Sequence, residues 1–76
     1  MNLQNLRYFL VLCDEQNFVQ AAKRRGISQP SITNAFKRLE RQIGGALFLR
    51  KPKTQPTALA LTIKPYFEQV FRDSAV

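Results

Sequence analysis

The sequence predicts a mainly α fold, a winged helix-turn-helix with a three-helix core, a short β-hairpin wing and a long C-terminal linker and dimerisation helix. Three observations carry that reading. From Ser28 to Ile43, the residues Ile32, Phe36, Leu39 and Ile43 recur by threes and fours, which puts them on one helical face. Pro30, Thr33, Asn34, Lys37 and Arg41 fall on the opposite face, which is polar, basic and free of acids. A shorter helical stretch, Asn17 to Ile27, stands directly before it across Gly26, and this is the order of a helix-turn-helix whose second helix lies in a DNA major groove.

The first helix starts at Asn2 or its neighbour and runs to about Gln16. Leu3, Leu6, Phe9, Leu10 and Cys13 form its apolar stripe, with Arg7 and Tyr8 off the stripe's centre, facing solvent or a partner. Cys13 has two readings, a redox or metal thiol and a small buried hydrophobe. The second is favoured, because no other Cys and no His accompany it. Asn17 can cap the second helix, with Gln20 at capping-box spacing, and Phe18, Ala21 and Ala22 give it a small apolar face that ends at Gly26. Ser28 caps the third helix, Pro30 is tolerated in its first turn, and Gly44-Gly45 stops it.

Ala46 to Lys51 is short and apolar, then basic, and suits a strand. Pro52 to Pro56 reads as a turn with room for little more than one returning residue pair. After a helix-turn-helix this is a wing over 47–56, and Arg50, Lys51 and Lys53 at its tip suit phosphates or a minor groove. The alternative is a plain basic surface loop. Thr57 caps a last helix running towards Ser74, in which Leu59, Ile63, Tyr66, Phe67, Val70 and Phe71 make a wide apolar stripe and Pro65 is expected to bend or loosen the backbone. That stripe either packs back on the first helix or joins two copies. The dimer is the expectation, because nothing beyond Val76 covers the face. The division is therefore a DNA-binding domain over 1–57 and a linker and dimerisation helix over 58–76.

Composition narrows the function. Twelve Lys and Arg against five Asp and Glu give a net charge of +7 over 76 residues. Ten of those cations lie between Lys23 and Lys64, with Glu40 the only acid among them. A positive surface of this kind suits DNA or RNA, or serves solubility alone. The chain is long enough for one small domain. Its single Cys fits a reducing compartment, and its start, Met1 to Gln4, has neither the basic region nor the apolar run of a signal peptide, so a cytosolic address is expected. With no His and no suggestively paired carboxylates an enzyme is not expected, and neither is a cofactor or metal.

Several blocks in order make a resemblance. Leu6-Arg7-Tyr8-Phe9, Asn17-Phe18, Ala21-Ala22, Ser28-Gln29-Pro30-Ser31, Arg38-Leu39-Glu40, Leu47-Phe48 with Arg50, Pro56-Thr57 and Pro65-Tyr66 resemble the N-terminal DNA-binding region of LysR-type transcriptional regulators over nearly the whole chain. The resemblance implies a dimer joined through the last helix at Leu59, Ile63, Tyr66, Phe67 and Val70, with a tetramer possible in a full-length protein. It also implies a larger C-terminal effector domain, so the chain is a piece of a longer regulator or an unusually short member. Gln29, Pro30, Ser31, Thr33 and Asn34 would meet bases or nearby backbone, Lys37 and Arg38 phosphates or bases, and Arg50 and Lys53 would make the wing contacts.

The chain departs from the family pattern in three places. Asn34 stands where the family often has Arg, which suits adenine in place of guanine. The wing is a residue short. Ala58-Leu59-Ala60 replaces an acid followed by Ala-Gly. The expected function is sequence-specific binding of double-stranded DNA as a dimer on an interrupted palindrome. The rivals are a winged-helix protein–protein module and a nonspecific nucleic-acid coat. Thr33 and Asn34 among the cations favour base readout.

Overall fold

Each of the first three helices begins on a side chain that takes up an orphan N–H. Asn2 Oδ1 accepts from the Asn5 amide at 2.8 Å, Asn17 Oδ1 from Gln20 at 2.9 Å, and Ser28 Oγ from Ser31 at 3.2 Å. The computed structural model describes residues 2–74, with α1 at Leu3–Glu15, α2 at Phe18–Arg25, α3 at Gln29–Ile43, β1 at Phe48–Leu49, β2 at Gln55–Pro56 and α4 at Ala58–Ser74. Gly26 and Gly44 end α2 and α3 at φ of 67° and 89°, a left-handed conformation that costs glycine little. Gln16 does the same at the end of α1 with φ 50°, its amide donating to the Leu12 carbonyl at 2.8 Å.

The strands pair antiparallel, Phe48 with Pro56 and Leu49 with Gln55. The wing therefore holds two residue pairs, and its outgoing strand is shorter than the Ala46–Lys51 run. The expected turn at Pro52–Pro56 gives up its last two residues to the ladder.

The core forms where α1 meets the other three helices. Phe9, Leu12, Ile32, Leu39 and Leu47 are fully buried. Phe9 lies edge-on to Phe48 at 5.9 Å and to Phe67 at 5.3 Å, and Phe36 joins Phe18 and Phe48 at 5.9 and 5.1 Å, so aromatic edges run through α1, α2, α3, β1 and α4. Each such pair adds about 0.5–1.5 kcal/mol beyond its buried area.

Two details of the α1 stripe are corrected. Leu3 is exposed, and Val11 and Leu12, both outside the stripe, are buried, because neighbours enclose α1 on more than one side. Arg7 lies over the Phe71 ring at 4.7 Å, so its partner is α4 of its own chain. Cys13 is the buried small hydrophobe, and loss of solvent around it pushes its thiol from 9.0 up to about 11.

The root of α4 is tied to the α3–wing corner. The Thr57 amide donates to the Leu47 carbonyl at 3.0 Å, and its hydroxyl donates to the Ala46 carbonyl at 2.8 Å while accepting from the Ala60 amide at 3.2 Å. A Cβ on Gly45 would stand 2.7 Å from Leu59 Cδ2, the tip of a partly exposed side chain that would have to turn aside. Helix α4 continues through Pro65, whose ring nitrogen has no proton to give the Leu61 carbonyl.

Candidate nucleic-acid interface

The N-cap at Ser28 and the buried row Ile32, Phe36 and Leu39 fix how α3 is turned, and that rotation decides what faces outward. Gln29, Pro30, Ser31, Asn34, Lys37, Arg38 and Arg41 are exposed, and Thr33 is half-buried at the margin nearest the wing. The Ser28 and Ser31 hydroxyls lie 2.7 Å apart, so Ser31 is engaged in the cap as well as exposed. Glu40, the one acid on α3, does not join the outward face. It is half-buried, and its carboxylate accepts the Leu47 amide at 2.7 Å. The face therefore carries neutral hydrogen-bonding groups in its first turns and cations from Lys37 onward. That order suits base readout at the tip and phosphate contact further along.

The wing divides its basic residues. Lys51 and Lys53 are exposed at the turn. Arg50 is folded back. Its guanidinium carbon lies 3.9 Å from the centroid of the Phe18 ring, and Nη2 donates to Thr33 Oγ1 at 3.3 Å. Phe18 supplies an aromatic platform at the start of α2, and Arg50 bridges the wing to the helix margin. A shallow cleft lined by Phe18, Thr33, Phe36, Lys37, Glu40, Phe48 and Arg50 lies at this junction, so the half-buried Glu40 borders it.

The structure thus gathers Thr33 and Arg50 into direct contact, sets Gln29, Pro30, Asn34, Lys37 and Arg38 along one helix face, and leaves Lys53 apart at the wing tip. Sequence reasoning missed the platform role of Phe18 and the wing anchor at Glu40. A lone acid in a basic stretch was the available signal for the second. Elsewhere, Arg24 spans to Asp14 at 3.4 Å and Glu15 at 3.5 Å, pairing one cation of the α2 cluster with the end of α1.

The proposed contact residues of α4 divide between two environments. Ile63, Phe67 and Val70 are partly buried against the core, whereas Leu59 is 36% and Tyr66 71% exposed. By helical spacing Leu59, Ile63, Tyr66 and Val70 share one side, and Leu61, 57% exposed, projects from the other. No helix among the described residues is long and apolar enough to cross a membrane.

Comparison with known proteins matches this architecture. The HTH-type transcriptional regulator BudR of Klebsiella aerogenes is 48% identical over 50 residues, covering 66% of this chain and 35% of BudR. CatR of Pseudomonas putida is 36% identical over 69 residues, covering 91% of this chain and 23% of CatR. The chain thus spans a minor part of these regulators. The crystal structure of the BenM DNA-binding domain in complex with benA site 1 DNA superposes with a TM-score of 0.93 at 28% identity, over 99% of this chain and 88% of that one. Full-length CbnR complexed with its target DNA gives 0.93 at 28% identity, over 99% of this chain and 26% of CbnR. Residues 3–62 match the family model described as bacterial regulatory helix-turn-helix protein, lysR family, and on that match the chain belongs to the LysR family.

Proposed function

We propose that this chain is the sequence-specific, double-stranded-DNA-binding part of a bacterial LysR-type transcriptional regulator. The observation that carries the reading is the outward face of α3, where Gln29, Pro30, Asn34, Lys37, Arg38 and Arg41 lie exposed while Glu40 turns away to the Leu47 amide. The likeness to BenM and CbnR, both solved with DNA, supports it. In this reading the first turns of α3 reach base edges in the major groove, Lys37, Arg38 and Arg41 meet phosphates, and the wing lies on backbone or minor groove. Its work is recognition, with no catalytic step, and its place is the bacterial cytoplasm, where the DNA is. Two copies join through α4 on an interrupted palindrome, and a full-length protein assembles further, to a tetramer, through a C-terminal effector domain.

Selection of bound sequences from a random DNA pool tests the proposal. A sequence reader enriches a defined motif that survives excess random competitor. A nonspecific coat enriches nothing and loses all binding to competitor, and a protein–protein module binds neither pool.

A further inference from the structure

A threonine hydroxyl has one proton and two lone pairs. In a helix the proton commonly goes back to the carbonyl one turn earlier, as Thr62 donates to Ala58 at 2.9 Å. Thr33 behaves differently. Its Oγ1 accepts from Arg50 Nη2 at 3.3 Å, and its hydroxyl donates to no acceptor among the described residues. An unspent proton therefore sits at the margin of the outward face, with a cation immediately behind the oxygen.

That cation is held before any partner arrives. The guanidinium of Arg50 lies on Phe18 at 3.9 Å, and Phe18 is in turn set against Phe36 of α3 at 5.9 Å and 81°. The planar fork can stack and donate at the same time, which a tetrahedral ammonium cannot.

We propose that Arg50 is a positioning residue that fixes Thr33 as a hydrogen-bond donor, so that the chain selects a keto base, guanine or thymine, at one base pair of its target. This rests on the reading of α3 as the helix in the major groove. Guanine shows N7 and O6 there and thymine shows O4, all acceptors, whereas cytosine shows an amino donor and adenine a mixed edge. An amino group meeting Thr33 would approach the Arg50 cation and leave the hydroxyl proton without an acceptor.

The experiment is selection from a random DNA pool with the parent chain and with Thr33→Val, Thr33→Ser, Arg50→Lys and the Thr33→Val/Arg50→Lys double variant, each checked by thermal melting. Thr33→Val should lose a guanine or thymine preference at one position, by on the order of tenfold. Thr33→Ser should keep it. Arg50→Lys should lose the same preference while the slope of log K against log salt stays unchanged, because the charge is retained. The double variant should lose no more. An unchanged motif for Arg50→Lys or Thr33→Val overturns the proposal while DNA binding stands, and so does an adenine or cytosine at the position that Thr33→Val relaxes. A parent chain that enriches no sequence overturns the DNA-binding reading, and this inference with it.

Discussion

The Glu40 carboxylate accepts the Leu47 backbone amide at 2.7 Å, joining the last turn of α3 to the residue before the wing strand. Leu47 is itself fully buried, so the amide has little access to water once its partner is removed. Glu40→Ala should cost about 1–3 kcal/mol in urea unfolding, and Glu40→Gln, which keeps an acceptor oxygen, clearly less. Equal losses for the two variants would show that the charge, and not the acceptor, matters.

Burial pushes the Cys13 thiol from 9.0 up to about 11, with Asp14 and Glu68 adding to the rise and Lys64 opposing it. The neutral thiol is therefore favoured in the folded chain. Its contribution to stability is complete below pH 9, where the thiol is neutral in both states. It is lost between 9 and 11, where the unfolded chain has ionised and the folded chain has not. Unfolding free energies measured from pH 8 to 11 should fall more steeply for the parent than for Cys13→Ala, by up to about 2–3 kcal/mol. Parallel curves would contradict the burial account.

Asn34 is exposed in the second turn of α3, and its amide matches the N6 and N7 edge of adenine. Asn34→Ala should cost about 1–3 kcal/mol at the preferred site and relax one base pair of each half-site. Affinity for random DNA should hardly change, because no charge is lost. Site selection checks it, and a motif identical to the parent's at every position would remove Asn34 from base readout.

Lys53 stands exposed at the wing tip, and Arg50 does not share that position. Lys53→Ala should weaken binding to all sequences alike and reduce the slope of log K against log salt by roughly one. A slope equal to the parent's would take the wing tip off the phosphates.

Tyr66 is 71% exposed and shares a side of α4 with Leu59, Ile63 and Val70. Tyr66→Asp should leave the melting temperature nearly unchanged while weakening self-association at least about tenfold in sedimentation. Leu61→Asp, on the other side, should associate like the parent. Phe67→Asp should destabilise the fold as well, because its ring packs on Phe9 at 5.3 Å. A parent chain that stays monomeric at high concentration would refute the α4 interface.

The parts of the fold that were legible in the sequence are those set by near neighbours. Asn17 with Gln20, Ser28 with Ser31, and Gly26 and Gly44 mark helix ends through bonds that span a few residues. The α3 face followed from a single repeat, because that helix is buried along one side only. The arc buried on α1 did not follow. A stripe assumes one covering partner, and α1 has three, which reach Val11 and Leu12. Arg50 shows the same limit within the candidate site. Its cation was visible, but its direction depends on Thr33, 17 residues away, and on the Phe18 ring. Nothing in the spacing along the chain brings those three together.

The bonds at Thr57 make the base of α4 a fixed pivot. Its 17 residues form a lever about 25 Å long. A tilt of about 10° at the pivot would sweep the far end by about 4 Å, close to the roughly 3.4 Å rise of one base pair. In the proposed α4-joined dimer, the separation of the two reading heads is therefore set at Thr57, away from the face proposed to read bases. Removing the Thr57 hydroxyl, which bonds both Ala46 and Ala60, would change which spacing of half-sites fits, without altering a residue proposed to face DNA.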